Sequence, residues 1–172
     1  TYQSKNKKVK LPKFITPKLS YFIGYLQGDG SIESNKYRIN FSDEYLDQIT
    51  RINILCNELF SIKGRIYKLR PKLSKKFAYK LEIGSTILNS YLSNLFNIKR
   101  GVKNKLNIPS LFINNIEIIR WYLIGLFDAD GTLPKNPRRC KQFFIDVTFK
   151  DKNFIKKIKK ILSVTSLLCF TI

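Results

Sequence analysis

Two stretches decide the reading: Phe22-Ile23-Gly24-Tyr25-Leu26-Gln27-Gly28-Asp29-Gly30 and, 101 residues further on, Leu123-Ile124-Gly125-Leu126-Phe127-Asp128-Ala129-Asp130-Gly131. Gly24 and Gly28 are four apart, as are Gly125 and Ala129, so each pair lies on one face of a helix. Small residues at that spacing let two helix backbones approach more closely than side chains normally allow. If the two faces pack about a pseudo-twofold axis, Asp29 and Asp130 meet at the same end. Adjacent carboxylates repel, and each also stands at the negative end of a helix dipole. Divalent cations relieve both penalties, so the pattern reads as a metal site rather than as packing.

The flanks of the two stretches repeat as well. Thr16-Pro17 is an N-cap followed by proline at the first helical position, and the helix Pro17 to Asp29 is expected to stop at a left-handed Gly30. Tyr37 to Ser42 alternates like a half-buried strand, and Ser42 or Asp43 can cap a helix with Leu46, Ile49, Ile52 and Leu59 on its inner stripe. Gly64 to Arg70 and Phe77 to Ile83 read as a hairpin, followed by a helix from Ile87 to Phe96. In the second copy Asn115 caps a helix from Ile116 to Asp130, Phe143 to Phe149 alternates, and Phe149-Lys150-Asp151 leads into a Lys-rich helix as Phe41-Ser42-Asp43 does earlier. This is an internal duplication. Residues 1–15 form a basic arm, 16–114 a first repeat and 115–172 a second, incomplete one, since only 42 residues follow Asp130. The absence of Met and the start at Thr1 suggest a fragment, or a frame whose start lies upstream.

Composition narrows the chemistry. There are 32 Lys and Arg against 12 Asp and Glu, a net charge of +20, and a field of that sign attracts a polyanion, nucleic acid above all. Lys, Asn and Ile are abundant (24, 14 and 23 of 172), which marks an AT-biased gene, yet that bias favours neutral Asn as much as Lys and does not demand so few acids. Histidine is absent, which excludes His-based nucleases and every His-containing catalytic triad. Cys56, Cys140 and Cys169 are far apart and in no metal spacing, so they read as reduced packing residues. No stretch approaches the roughly 20 apolar residues of a membrane span, and no membrane partner is expected.

On these residues the chain resembles the LAGLIDADG homing endonucleases and the related intron maturases, from about Pro17 to Leu162. The resemblance implies an α+β fold, a duplicated αββαββα saddle whose second repeat is truncated here. It places Asp29 and Asp130 at the acidic metal-binding position, and Gly28 and Ala129 at the residue whose main-chain carbonyl also reaches metal. Mg2+ is the implied cofactor, with Mn2+ or Ca2+ able to occupy the site. A basic residue beside the site helps organise solvent in the family; Lys103 and Lys105 are the candidates, with phosphate contact as the alternative role. Where relatives often carry Gln at the end of the second strand, this chain has Ser42 and Asp43, and Asp43 reads as a helix cap. Asp128 reads as non-catalytic, with Gln27 as its counterpart.

In such a saddle the sheets lie along the DNA major groove. The polar sheet face would carry Arg38, Asn40 and Ser42, then Ala78, Lys80 and Glu82, and in the second copy Phe144, Asp146, Thr148 and Lys150. These include residue types that read base edges. Lys68, Arg70, Lys72, Lys75 and Lys76 read as phosphate contacts, and Arg138 and Arg139 as further DNA contacts. The implied function is a site-specific double-stranded DNA endonuclease, a monomer with a long asymmetric target. A maturase that binds intron RNA and a relic that binds DNA without cutting are the alternatives; retention of both Asp29 and Asp130 favours cleavage. The AT bias fits an intron-encoded protein of the mitochondrion or another organellar matrix.

Overall fold

Thr16 opens the first element as the sequence predicts: its side chain accepts from the Leu19 amide (3.3 Å) and Pro17 starts helix α1, Pro17–Gly28. The protein is described by a computed structural model at residues 8–70, 77–103, 106–133 and 146–164. After α1 come strands β1 (Gly30–Ile32) and β2 (Arg38–Asp43), helix α2 (Leu46–Phe60), strands β3 (Arg65–Leu69) and β4 (Ala78–Gly84), and helix α3 (Thr86–Phe96). A short helix α4 (Ser110–Ile113) leads to α5 (Ile116–Asp130), then β5 (Gly131–Thr132), β6 (Asp146–Val147) and α6 (Lys152–Val164). The first four strands form an antiparallel sheet in the order β1-β2-β4-β3, and β5 pairs with β6. Ile39, Phe41, Leu81 and Ile83 of this sheet are buried with Phe22 of α1 and with Ile49, Ile52, Cys56 and Phe60 of α2.

Helices α1 and α5 are in intimate contact, and their small residues are the cause. A Cβ on Gly24 would strike the Tyr122 carbonyl, and one on Gly125 would strike the Tyr21 carbonyl. The pseudo-twofold axis is visible in hydrogen bonds too. Tyr122 donates its hydroxyl across the helix pair to Gln27 Oε1 (2.6 Å), and Tyr21, its mate 101 residues earlier, donates to Asp128 Oδ2 (2.9 Å). Gln27 and Asp128 are therefore symmetry counterparts with a structural task.

Several expectations need correction. Gly30 is not left-handed: α1 ends at Asp29 in right-handed geometry and Gly30 starts β1. Its lack of a side chain answers to space, since a Cβ would lie 2.8 Å from both the Leu26 carbonyl and Phe41 Cε1. The inner stripe of α2 is Ile49, Ile52, Asn53, Cys56 and Phe60, while Leu46 is exposed. The match of Asp43 with Asp151 is two residues out. Strand register pairs Gly30 with Phe41 and Gly131 with Val147, so Asp151 occupies the place of Tyr45. Hence Asp151 caps α6, accepting from the Asn153 and Phe154 amides (3.0 and 3.2 Å), whereas α2 has no side-chain cap and Asp43 accepts, among the described residues, from Tyr45 N (2.7 Å) and the Tyr25 hydroxyl (3.3 Å). Cys56 is buried and free; Cys140, Cys169, residues 165–172 and the first part of the arm lie outside the described residues.

The helix contact yields a test. Gly24→Val or Gly125→Val should lower stability by about 3 kcal/mol, because the obstacle is backbone that cannot rotate away. Gly84→Ala, where a Cβ meets nothing within 4 Å, is the control and should stay within about 0.5 kcal/mol in urea denaturation.

Candidate metal centre and nucleic-acid face

Asp29 and Asp130 end the paired helices, and packing brings them to one place. Gly28 faces Ala129, and a Cβ on Gly28 would lie 3.3 Å from Asp130 Oδ2. The Asp29 carboxyl is pushed up from 3.8 to about 6, first by burial, then by Asp130 and Asp43, with Lys103 opposing. Burial also raises Asp130, again against Lys103. The Lys103 ammonium donates to the carbonyls of Leu26 (3.2 Å), Gln27 (3.0 Å) and Gly28. Burial brings it down to about 8, while the nearby Asp130 and Asp29 carboxylates favour its charged form.

The segment before α4 positions Lys103. The Gly101 amide donates to the Ile32 carbonyl (2.7 Å), with Gly101 at φ +79, a conformation suited to glycine. Beyond the site, Leu106 N donates to Asp151 Oδ2 (3.1 Å) and the Asn107 carbonyl accepts from Gln27 Nε2 (3.0 Å). Lys105 lies outside the described residues.

The polar sheet face follows the register. Arg38, Asn40 and Ser42 stand opposite Gly84, Glu82 and Lys80. Some of their polar groups have partners: Arg38 Nη1 bonds Glu82 Oε2 (3.1 Å), Lys80 Nζ lies 3.8 Å from the same oxygen, and Asn40, which is buried, donates from Nδ2 to Glu33 Oε1 (2.9 Å). Among the described residues Asn40 Oδ1 has no partner. Pairing also brings Arg65 beside Glu82 and Tyr67 beside Lys80, both exposed. The sequence reading missed these two: Arg65-Ile66-Tyr67-Lys68 shows no clean alternation, and the pairing of β3 with β4 is what places them.

Lys68 is placed elsewhere. It pairs with Tyr79, on the side of Leu81 rather than Lys80, and its ammonium sits 4.1 Å from the Phe77 ring centre, with the Arg70 guanidinium at 5.9 Å. In the second copy Asp146, Thr148 and Lys150 are exposed while Phe149 turns inward onto Phe154 (5.2 Å). Lys72, Lys75, Lys76, Arg138, Arg139 and Phe144 lie outside the described residues.

Residues 117–165, which include α5 and its acidic end, match the LAGLIDADG-like domain family. The second repeat is thus a LAGLIDADG-like domain. The chain's fold is the LAGLIDADG fold: it superposes on I-WcaI bound to its DNA recognition sequence (TM-score 0.61, 14% identity, 89% of this chain and 69% of that one). It likewise matches the N-terminal LAGLIDADG domain of WhiA (TM-score 0.59, 16% identity, 86% and 64%). An I-DmoI variant in complex with target DNA in the presence of Mn2+ matches with TM-score 0.57 and 16% identity over 87% of this chain and 77% of that one.

Two longer proteins match this chain in sequence over part of their length. The glutamine–fructose-6-phosphate aminotransferase of Methanocaldococcus jannaschii is 32% identical over 155 residues, 90% of this chain and 13% of that protein. An A-type ATP synthase subunit of Pyrococcus abyssi is 32% identical over 136 residues, 78% of this chain and 12% of that protein. The chain thus spans about an eighth of the length of these curated relatives.

Asp29 carries a pH signature. Its folded value of about 6 lies above the ordinary 3.8, so the fold favours the protonated form. That stabilisation is fully present below the ordinary value and is lost as pH rises through about 6. In EDTA, Asp29→Asn should match the wild type near the low end of this window and exceed its stability at alkaline pH by about 1–2 kcal/mol, a figure discounted for partial exposure.

Proposed function

We propose that this LAGLIDADG protein is a site-specific double-stranded DNA endonuclease that hydrolyses one phosphodiester on each strand with divalent metal held by Asp29 and Asp130. The observation that carries the reading is the convergence of two carboxylates at the ends of a helix pair, both pushed toward protonation, inside a chain of net charge +20. Such a pair is poorly stable alone and well suited to a hard cation. The donors fit: two carboxylates with the carbonyls of Gly28 and Ala129 offer oxygen only, as Mg2+, Mn2+ and Ca2+ require. Among the described residues no group of three His, Cys, Asp or Glu gathers to hold a metal by side chains alone, so phosphate oxygens of bound DNA would complete the shell. The metal would supply Lewis-acid stabilisation of the phosphate and an activated water. I-DmoI complexes with target DNA in the presence of Mn2+ and of Mg2+ support that choice.

The chain's own residues do the rest. Arg38, Arg65, Tyr67 and Lys80 present donors to base edges, while Asn40 is buried and would first have to leave Glu33; Arg38 can exchange its part-buried Glu82 partner for a base. Lysines and arginines at the rims, Lys150 and Arg70 among them, neutralise phosphates. The protein acts as a monomer because one chain supplies both acids, and its two unlike sheet faces imply an asymmetric target. An aminotransferase and an ATP synthase have no chemistry in common, so the shared segment performs neither named reaction. That supports a self-contained element placed within other reading frames, and the AT bias supports an organellar intron origin, the mitochondrion included.

The test is incubation with a randomised duplex library and Mg2+, with new ends mapped by sequencing. A unique double-strand break should appear, and Asp29→Asn and Asp130→Asn should each reduce it by roughly a hundredfold or more. Salt-sensitive binding with no break would favour the RNA-binding maturase or the non-cutting relic; the fold's occurrence in WhiA shows that fold alone does not choose.

A further inference from the structure

All three N–H bonds of the Lys103 ammonium point at α1, to the carbonyls of Leu26, Gln27 and Gly28. An ammonium has three donors and no acceptor, so nothing remains for water or phosphate. These carbonyls lie at the negative end of the helix, where intrahelical partners run out. The same charge favours the ionised forms of Asp29 and Asp130. Lys103 therefore already does what a bound cation would do here: it satisfies the helix end and screens the acid pair. It is held from outside α1, by a segment tied on either side to Ile32 and Asp151.

The duplication provides the contrast. The mate of Gly28 is Ala129, and among the described residues no lysine donates to the carbonyls that end α5; the lysine bonds there go to Glu58, to α1 and to Asn107. The two halves of the site are unequal before any ligand arrives.

We propose that Lys103 is a resident cation that competes with divalent metal for the α1 half of the site. Occupation of Asp29 and the Gly28 carbonyl by metal requires Lys103 to leave, and its departure returns three N–H donors to the active site. Among the described residues the α5 half has no such competitor, and it fills first. Lys103 is thus a positioning residue that is exchanged, rather than a fixed neighbour. The inference rests on the reading of Asp29 and Asp130 as a metal pair.

Mn2+ binding to the DNA-free protein, followed by electron paramagnetic resonance of the free ion, tests it. Lys103→Met keeps the length of the side chain and removes the charge; it should bind Mn2+ roughly tenfold more tightly than the wild type. Adding Asp29→Asn should abolish that gain. Equal affinity in wild type and Lys103→Met overturns the proposal. Should loss of the three carbonyl bonds unfold Lys103→Met, the wild-type chain decides by reductive methylation and mass spectrometry. Lys103 should be protected in EDTA and react several-fold faster in saturating Ca2+, while Lys156 and Lys160 of α6 react alike in both; unchanged Lys103 reactivity overturns the proposal. Neither readout involves cutting. Cleavage without the Mn2+ effect rejects this inference alone, and the Mn2+ effect without cleavage rejects the nuclease reading alone.

Discussion

The contact between the backbones of α1 and α5 is the constraint on which everything else depends. With Gly24 against the Tyr122 carbonyl and Gly125 against the Tyr21 carbonyl, the helices touch main chain to main chain. Closeness of that kind leaves few relative positions for the pair, and it fixes where their C-termini fall. Two carboxylates that repel each other are then held together by packing remote from them. The crossing is reinforced by the reciprocal tyrosine bonds to Gln27 and Asp128, and by Ser20, whose hydroxyl donates to the Ile118 carbonyl (2.6 Å). These bonds are satisfied inside the pair, so they add specificity of register without leaving polar groups unpaired.

The sheet is subordinate to that axis. β1 starts directly after the Asp29 turn and packs its Gly30 against Leu26 and Phe41, so the polar face is oriented by the helix that bears the acid. β2 and β4 then set Arg38 by Gly84, Asn40 by Glu82 and Ser42 by Lys80. The carboxylates of Glu33 and Glu82 keep this face from being uniformly cationic. Such a face can exchange internal partners for base edges, whereas a uniformly basic face would bind any phosphate equally well.

Much of this was legible because it depends on periodicity. The small-residue spacing, the repeated acid and the alternation in β2 and β4 announced the helix pair, Asp29 with Asp130, and the polar face. What escaped was set by pairing between segments. Arg65 and Tyr67 join the polar face because β3 lies beside β4 in one register, which puts Lys68 on the opposite side. The match of Asp151 to Asp43 failed because two Phe-x-Asp stretches looked alike, while strand register aligned Asp151 with Tyr45. Gly30 looked like a helix stop but answers to crowding by Leu26 and Phe41, a tertiary fact.

The segment between α3 and α4 shows why the site could not be read from its motifs alone. It carries no periodic pattern, yet it binds β1 through Gly101, α1 through Lys103, α6 through Asp151, and Gln27 through the Asn107 carbonyl. A chain that merely linked two repeats would need none of these bonds. Because it is stitched to both halves, any relative movement of α1 and α6 is felt at Lys103, and any change at Lys103 is felt at the end of α1. The duplication supplies two acids of one kind; the connector between the copies, present once, makes their surroundings different. Asymmetry in the site is therefore a consequence of joining two repeats in a single chain, and it requires no divergence of the acids themselves.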